Sequence, residues 1–179
     1  MPSSRNGLRF KNRRPAGIIG KLRRIRMVIL DVDGVLTDGR IIYGSKGLEL
    51  RSFDAHDGYG IRKAMQKGIT IAWVSGKKSE VVSRRARELG ITELYQNIDD
   101  KLHVLETLLS TYRLKRDDVC YVGDDEYDLP LLQKIGLSAA PGSALGQVRK
   151  QVDYVTKAVG GRGAAREVLD LILNAQGLM

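Results

Sequence analysis

At 179 residues, with 42% hydrophobic and 28% charged composition, the chain is sized for one soluble domain with a substantial core. Its apolar runs are strand-length, well short of the roughly 20 residues that cross a bilayer, and its single cysteine, Cys120, excludes an intrachain disulfide or a thiolate metal cluster. The net charge of +9 looks like a nucleic-acid signal, yet residues 1–26 hold nine Lys and Arg and no acid, and the 21 basic residues that remain are matched by 21 Asp and Glu.

Residues 1–26 therefore read as a basic, flexible arm and residues 27–179 as the folded domain. Such an arm is able to bind RNA, DNA or anionic lipid through counterion release. With no aromatic interleaving beyond Phe10, a solvated tail explains it equally simply. The acid-free start also resembles a transit peptide, and no apolar h-region points to secretion.

From Met27 onward, apolar strands alternate with helical segments, the pattern of a parallel sheet covered on both faces. Residues 27–31 make the first strand. Residues 40–44 and 48–53 alternate apolar and polar side chains around Gly44-Ser45-Lys46-Gly47 and read as a β-hairpin. A helix follows over 57–67, then a strand over 69–74 that stops at Ser75-Gly76, and a basic helix over 78–89. Leu94-Tyr95 reads as a short strand, and a helix follows over 100–112. The run Asp118 to Val122 is a further strand, ending in Gly123-Asp124-Asp125, and it places Cys120 in the core. A helix over 127–135, strands over 137–140 and 153–156, and an amphipathic helix over 163–174 complete an α/β, doubly wound, mostly parallel sheet with one inserted β-hairpin.

Three strand ends carry polar residues after apolar runs: Asp31 with Asp33, Ser75 with Gly76, and Asp124 with Asp125 and Asp128. Parallel strands present their carboxyl ends along one edge, so the three should line one crevice. Carboxylates there are costly unless something binds them. Strand side chains repeat every second residue, so Asp31 and Asp33 point the same way. One carboxylate then serves as a nucleophile toward phosphorus and the other as a proton shuttle, with Mg²⁺ offsetting the negative charge. Asp31, Asp124 and the backbone carbonyl of Asp33 are the expected metal ligands. Gly34 lets the chain turn sharply so that N–H groups face an anion. Asp128 either orients metal-bound water or simply favours a helix start. Ser75 and Gly76 offer donors to phosphate, and Lys101 a cation for the transition state. Arg62, Lys77 and Arg85 supply positive charge for an anionic substrate, although each alone also fits a solvated helix surface.

The ordered set Asp31-Val32-Asp33-Gly34-Val35-Leu36-Thr37-Asp38, Val74-Ser75-Gly76, Lys101 and Gly123-Asp124-x-x-x-Asp128 resembles the four motifs of the haloacid dehalogenase superfamily. Within it, Phe53 to Arg62 and Gly160 to Glu167 are similar to the capless subclass, without a cap domain, that contains the 3-deoxy-D-manno-octulosonate 8-phosphate phosphatases. The resemblance implies a cytoplasmic, Mg²⁺-dependent enzyme of lipopolysaccharide sugar synthesis that acts on an anionic phosphosugar. It implies Asp31 as nucleophile, Asp33 as acid and base, and Ser75 and Lys101 as further catalytic groups. Substrate contacts then fall to Asp33, Asp54, Ala55, His56, Asp57, Gly58, Arg62, Gly76, Lys77, Arg85 and Lys101. It further implies a homotetramer whose hairpins meet at the centre and whose active sites are shared between subunits, with no membrane or nucleic-acid partner.

Lys77 and His56 stand where that family usually or often has arginine; lysine keeps the charge and loses the bidentate fork. A nine-carbon sialic-type acid phosphate stays open as substrate, and so does a binding module that works through the basic arm. The segment Gly160-Gly161-Arg162-Gly163 lacks the Lys-Ser/Thr pair of a P-loop and reads as the hinge of a mobile tail that closes over a neighbouring site.

Overall fold

In a computed structural model, which describes residues 15–179, every residue of β1 (Met27–Asp31) is buried. The strand lies between β4 (Thr70–Val74) and β6 (Val119–Val122), pairing Asp31 with Val74 and Leu30 with Val122. Outside them come β5 (Glu93–Tyr95) on one side, and β7 (Leu137–Ala140) and β8 (Tyr154–Val155) on the other. The order β5-β4-β1-β6-β7-β8 is parallel throughout, as alternating strands and helices lead one to expect. Among the described residues, no helix is long and apolar enough to cross a membrane.

Strand alternation divides the apolar residues into two cores. Val28, Leu30, Ile71, Trp73, Cys120 and Val122 pack with α1 (Pro15–Arg24), α2 (Ala55–Gln66), α3 (Glu80–Leu89) and α7 (Ala164–Ala175). Met27, Ile29, Ala72, Val74 and Tyr121 pack on the opposite face with α4 (Lys101–Tyr112), α5 (Leu129–Leu132) and α6 (Gly146–Gln151). Asp31 shares the parity of Ile29 and so faces the second side, toward the start of α4. Trp73 stacks on Phe53, and the Cys120 thiol is buried, with burial holding it protonated.

Several boundaries differ from the sequence reading. The hairpin narrows to β2 (Ile42–Tyr43) and β3 (Glu49–Leu50), and the helix expected over 127–135 is a 3₁₀ turn followed by the short α5. Helix α6 lies in a segment for which the sequence pattern predicts no element. More consequential is α1, which occupies part of the expected arm. Ile18, Leu22 and Ile25 recur at helical spacing and are buried, Lys21 reaches Asp153 at 2.5 Å, and the Gln176 amide donates to the carbonyls of Leu22 and Ile25. The dense positive charge of residues 1–26 masks this apolar stripe in the sequence. The remainder of the expected arm, residues 1–14, lies outside the described residues.

Candidate active site

Asp31 closes β1 and is buried. Lys101, the first residue of α4, reaches back to it: Nζ donates to Asp31 Oδ1 at 2.5 Å, to Asp128 Oδ1 at 2.7 Å and to the Tyr121 hydroxyl at 3.1 Å. Tyr121 sits in β6 with the parity that points to this face, and its hydroxyl donates to Asp128. The second oxygen of Asp128 accepts the N–H groups of Asp124 and Asp125, which holds the turn after β6 and sets Asp124 over the crevice. Asp128 thus does more than start a helix: it builds the turn and joins the acidic group.

Oxygen atoms of Asp31, Asp124 and Asp128 all lie within 4.8 Å of one another. Burial pushes the Asp31 carboxyl up to about 8, against the pull of Lys101, and pushes Asp124 up to about 7 with help from Asp128. Three carboxylates set this close, two of them buried and Asp124 half-buried, with no sulfur or imidazole among them, fit a hard divalent cation such as Mg²⁺. The glycine in the turn lets the Asp124 carboxylate come this close to Asp31. A Cβ on Gly34, whose φ is +95°, would lie 2.1 Å from Asp124 Oδ2.

Both carboxyls bind protons more tightly in the folded chain than in the unfolded one, where the ordinary value is 3.8. Between about pH 4 and 8 the native state therefore holds extra protons, so metal-free stability falls as pH rises through that window. A divalent cation takes the place of those protons. Mg²⁺ is expected to raise Tm over the chelated protein more at about pH 8 than at about pH 5; equal shifts by calorimetry would refute this linkage.

Asp33 corrects the sequence reading, because β1 ends at Asp31 and Asp33 lies in the turn that follows, so strand alternation does not govern it. Its carboxylate faces Arg51, with Nη1 3.3 Å from Oδ1, and stands outside the acidic triad. Burial lifts its pKa, opposed first by Arg51 and then by Lys77. Ser75 is buried beyond β4, and its hydroxyl accepts the Lys77 N–H at 3.2 Å; Gly76 and Lys77 are exposed beside it.

The expected substrate loop behaves differently. Asp54 caps α2 by accepting the His56 N–H, while Ala55 and His56 are exposed. Asp54, Gly58 and Arg85 line the α2–α3 seam with Phe53 and Trp73; they do not join Lys101 and Asp124 there. Arg62 donates to the Glu88 carbonyl, and Arg85 pairs with the Glu88 carboxylate at 3.4 Å. Asp57 is not available to a ligand through either oxygen: buried, it accepts the N–H of Arg166 at 2.7 Å and of Gly163 at 3.1 Å, and so caps α7.

That cap fixes the glycine segment expected to be a hinge. Gly161 N–H donates to the Val35 carbonyl at 2.9 Å, and a Cβ on Gly160 would lie 1.7 Å from the Gly34 carbonyl oxygen. Gly160 and Gly161 therefore brace the turn after β1 of their own chain, and α7 beyond them belongs to the core, so removing everything after Val159 would remove core. Gly160→Ala is expected to cost about 1–3 kcal/mol of stability and to lower kcat at least about tenfold. Gly20→Ala, inside α1 with nothing within 4 Å, serves as the control and is expected to keep kcat and to match or exceed the parent's stability by up to about 1 kcal/mol; thermal melts and steady-state assays read both.

Residues 80–168 match the haloacid dehalogenase-like hydrolase family. The chain is 48% identical over 162 residues to the 3-deoxy-D-manno-octulosonate 8-phosphate phosphatase of Escherichia coli (strain K12), covering 90% of this chain and 86% of that one. The crystal structure of the phosphatase of that name from Moraxella catarrhalis, in complex with a magnesium ion, a phosphate ion and a KDO molecule, is similar with TM-score 0.89 and 40% identity, covering 92% of this chain and 94% of that one. A cobalt-bound form from Haemophilus influenzae has TM-score 0.85 and 39% identity, covering 88% of this chain and 92% of that one.

Proposed function

The chain belongs to the haloacid dehalogenase-like hydrolases, and on that footing we propose that it is a Mg²⁺-dependent phosphatase converting 3-deoxy-D-manno-octulosonate 8-phosphate to the free sugar acid and inorganic phosphate. The observation that carries this reading is the buried Asp31, held by Lys101 and set within reach of Asp124 at the carboxyl edge of the sheet. Identity of 48% over 90% of the chain to a phosphatase of that name supports the choice of sugar.

Asp31 attacks phosphorus as the ester P–O bond breaks, and Asp33 gives its proton to the departing sugar oxygen. Asp33, now ionised, takes a proton from water as that oxygen attacks the aspartyl phosphate. The acyl P–O bond breaks, and phosphate leaves with Asp31 restored. When bound by Asp31, Asp124 and the Asp33 carbonyl, Mg²⁺ supplies positive charge to the phosphate oxygens. Ser75 and Gly76 orient those oxygens, and Lys101 balances the charge that builds on them.

The sugar carboxylate falls to Lys77, Arg62 and Arg85, and the 54–58 loop, apart from the Asp57 carboxylate, contacts the rest of the sugar, part of it across a subunit boundary in a homotetramer. Exposed Ile42, Tyr43, Leu48 and Leu50 on the hairpin support such an assembly. One buried cysteine suits a reducing cytoplasm. A panel of phosphosugars assayed with Mg²⁺ and with chelator tests the reading. Metal-dependent kcat/KM is expected to be highest for the eight-carbon acid, and a preference for the nine-carbon acid would reassign the substrate.

A further inference from the structure

Arg51 follows an exposed hairpin but turns inward, leaving its side chain 1% exposed. Its Nη1 lies 3.3 Å from Asp33 Oδ1, and its Nε lies 3.2 Å from Glu49 Oε1. The same Glu49 oxygen accepts the Ser79 hydroxyl at 2.7 Å, and Ser79 caps α3 by accepting the Val82 N–H. A chain of contacts thus runs from the first turn of α3, through the hairpin, to the turn that holds the proton shuttle. A guanidinium withdrawn from water requires anionic partners, and truncating it strands the charges it leaves behind.

Among the described residues, neither Lys77 nor Lys101 forms an ion pair with Asp33; Arg51 is the cation in contact with it. The Arg51–Asp33 contact is one of charge without an aligned hydrogen bond, and this leaves the carboxyl able to give and take a proton. So little of Arg51 is exposed that it offers no surface to phosphate or sugar, and its influence has to pass through Asp33.

We propose that Arg51 is the positioning residue for Asp33, aiming its carboxyl at the departing ester oxygen, with Glu49 and Ser79 holding Arg51 in turn. This rests on reading Asp33 as the acid and base. The test compares the full chain with Mg²⁺ on two substrates, 3-deoxy-D-manno-octulosonate 8-phosphate and p-nitrophenyl phosphate. A sugar alkoxide needs the Asp33 proton to leave; p-nitrophenolate does not.

Arg51→Ala is expected to lower kcat on the sugar phosphate about tenfold to hundredfold with KM changed less than about threefold. On p-nitrophenyl phosphate it still gives a burst of about one phenolate per site before slow turnover, because only the water step then needs Asp33. Arg51→Lys is expected to recover most of kcat. Equal losses on both substrates with no burst would mean a merely structural role, and a raised KM at parental kcat would mean direct substrate binding; either overturns the proposal.

Asp33→Asn, run in parallel, separates this inference from its premise. Parental turnover by Asp33→Asn sinks the reading of Asp33 itself. An inactive Asp33→Asn beside a parental Arg51→Ala leaves that reading intact and defeats the role of Arg51. Should Arg51→Ala fail to fold, Glu49→Gln is expected to give the same substrate-dependent split in milder form, and uniform losses there count against the proposal.

Discussion

Asp31→Asn is expected to cut turnover by about 10⁴-fold or more and to leave a folded protein. An amide oxygen is a poor nucleophile toward phosphorus, and the neighbouring carboxylates are committed elsewhere: Asp33 faces Arg51, Asp128 has both oxygens hydrogen-bonded, and Asp124 is set to hold the cation. Folding should not suffer, because the buried carboxyl at 31 resists ionising and shares its site with Asp124 and Asp128. An amide removes that repulsion while keeping nearly the same shape. Without metal, the Tm of the variant should equal or exceed that of the parent at about pH 8, where the parent carries most of the penalty. Mass spectrometry should find phosphate trapped on the parent when turnover is quenched with acid, and none on the variant. Turnover above one per cent of the parent would refute the covalent route.

Lys101→Met is expected to lower kcat by about 10²- to 10³-fold, the usual consequence of removing one preorganised charge from a phosphoryl site. The ammonium contacts Asp31, Asp128 and Tyr121 at once, so its loss both withdraws positive charge and frees the nucleophile to rotate. The two effects separate on titration with Mg²⁺. If Lys101 mainly offsets repulsion in the acidic group, the variant should bind the cation as tightly as the parent or more tightly, while kcat stays low at saturation. Full recovery of kcat at high Mg²⁺ would show that Lys101 only tunes metal affinity.

Much of the site is legible in the sequence because apolar strands that end in carboxylates have few physical explanations. Asp31, Ser75 and Asp124 each follow such a run, and the parallel sheet gathers their ends along one edge. What escaped depends on distant partners. Asp57 looks like a first-turn residue of α2, yet the N–H groups it accepts lie 106 and 109 residues further on. Arg51 leaves a two-residue strand, too short for alternation to say which way it points. Asp33 was assigned by a strand period that stops two residues before it. In and just after α1, charge density masks the helically spaced apolar residues Ile18, Leu22 and Ile25.

Strand order also bears on how the chain is made. The nucleophile's strand is central, but the neighbour on one side, β6, is synthesised only after residue 118, whereas β4 and β5 emerge much earlier. A nascent chain therefore carries an open ladder along β1, apolar from Met27 to Leu30, until the second half of the sheet leaves the ribosome, and that edge invites pairing with other chains. Amino-terminal fragments ending before Val119 are expected to aggregate, whereas the complete chain closes that edge with its own strand.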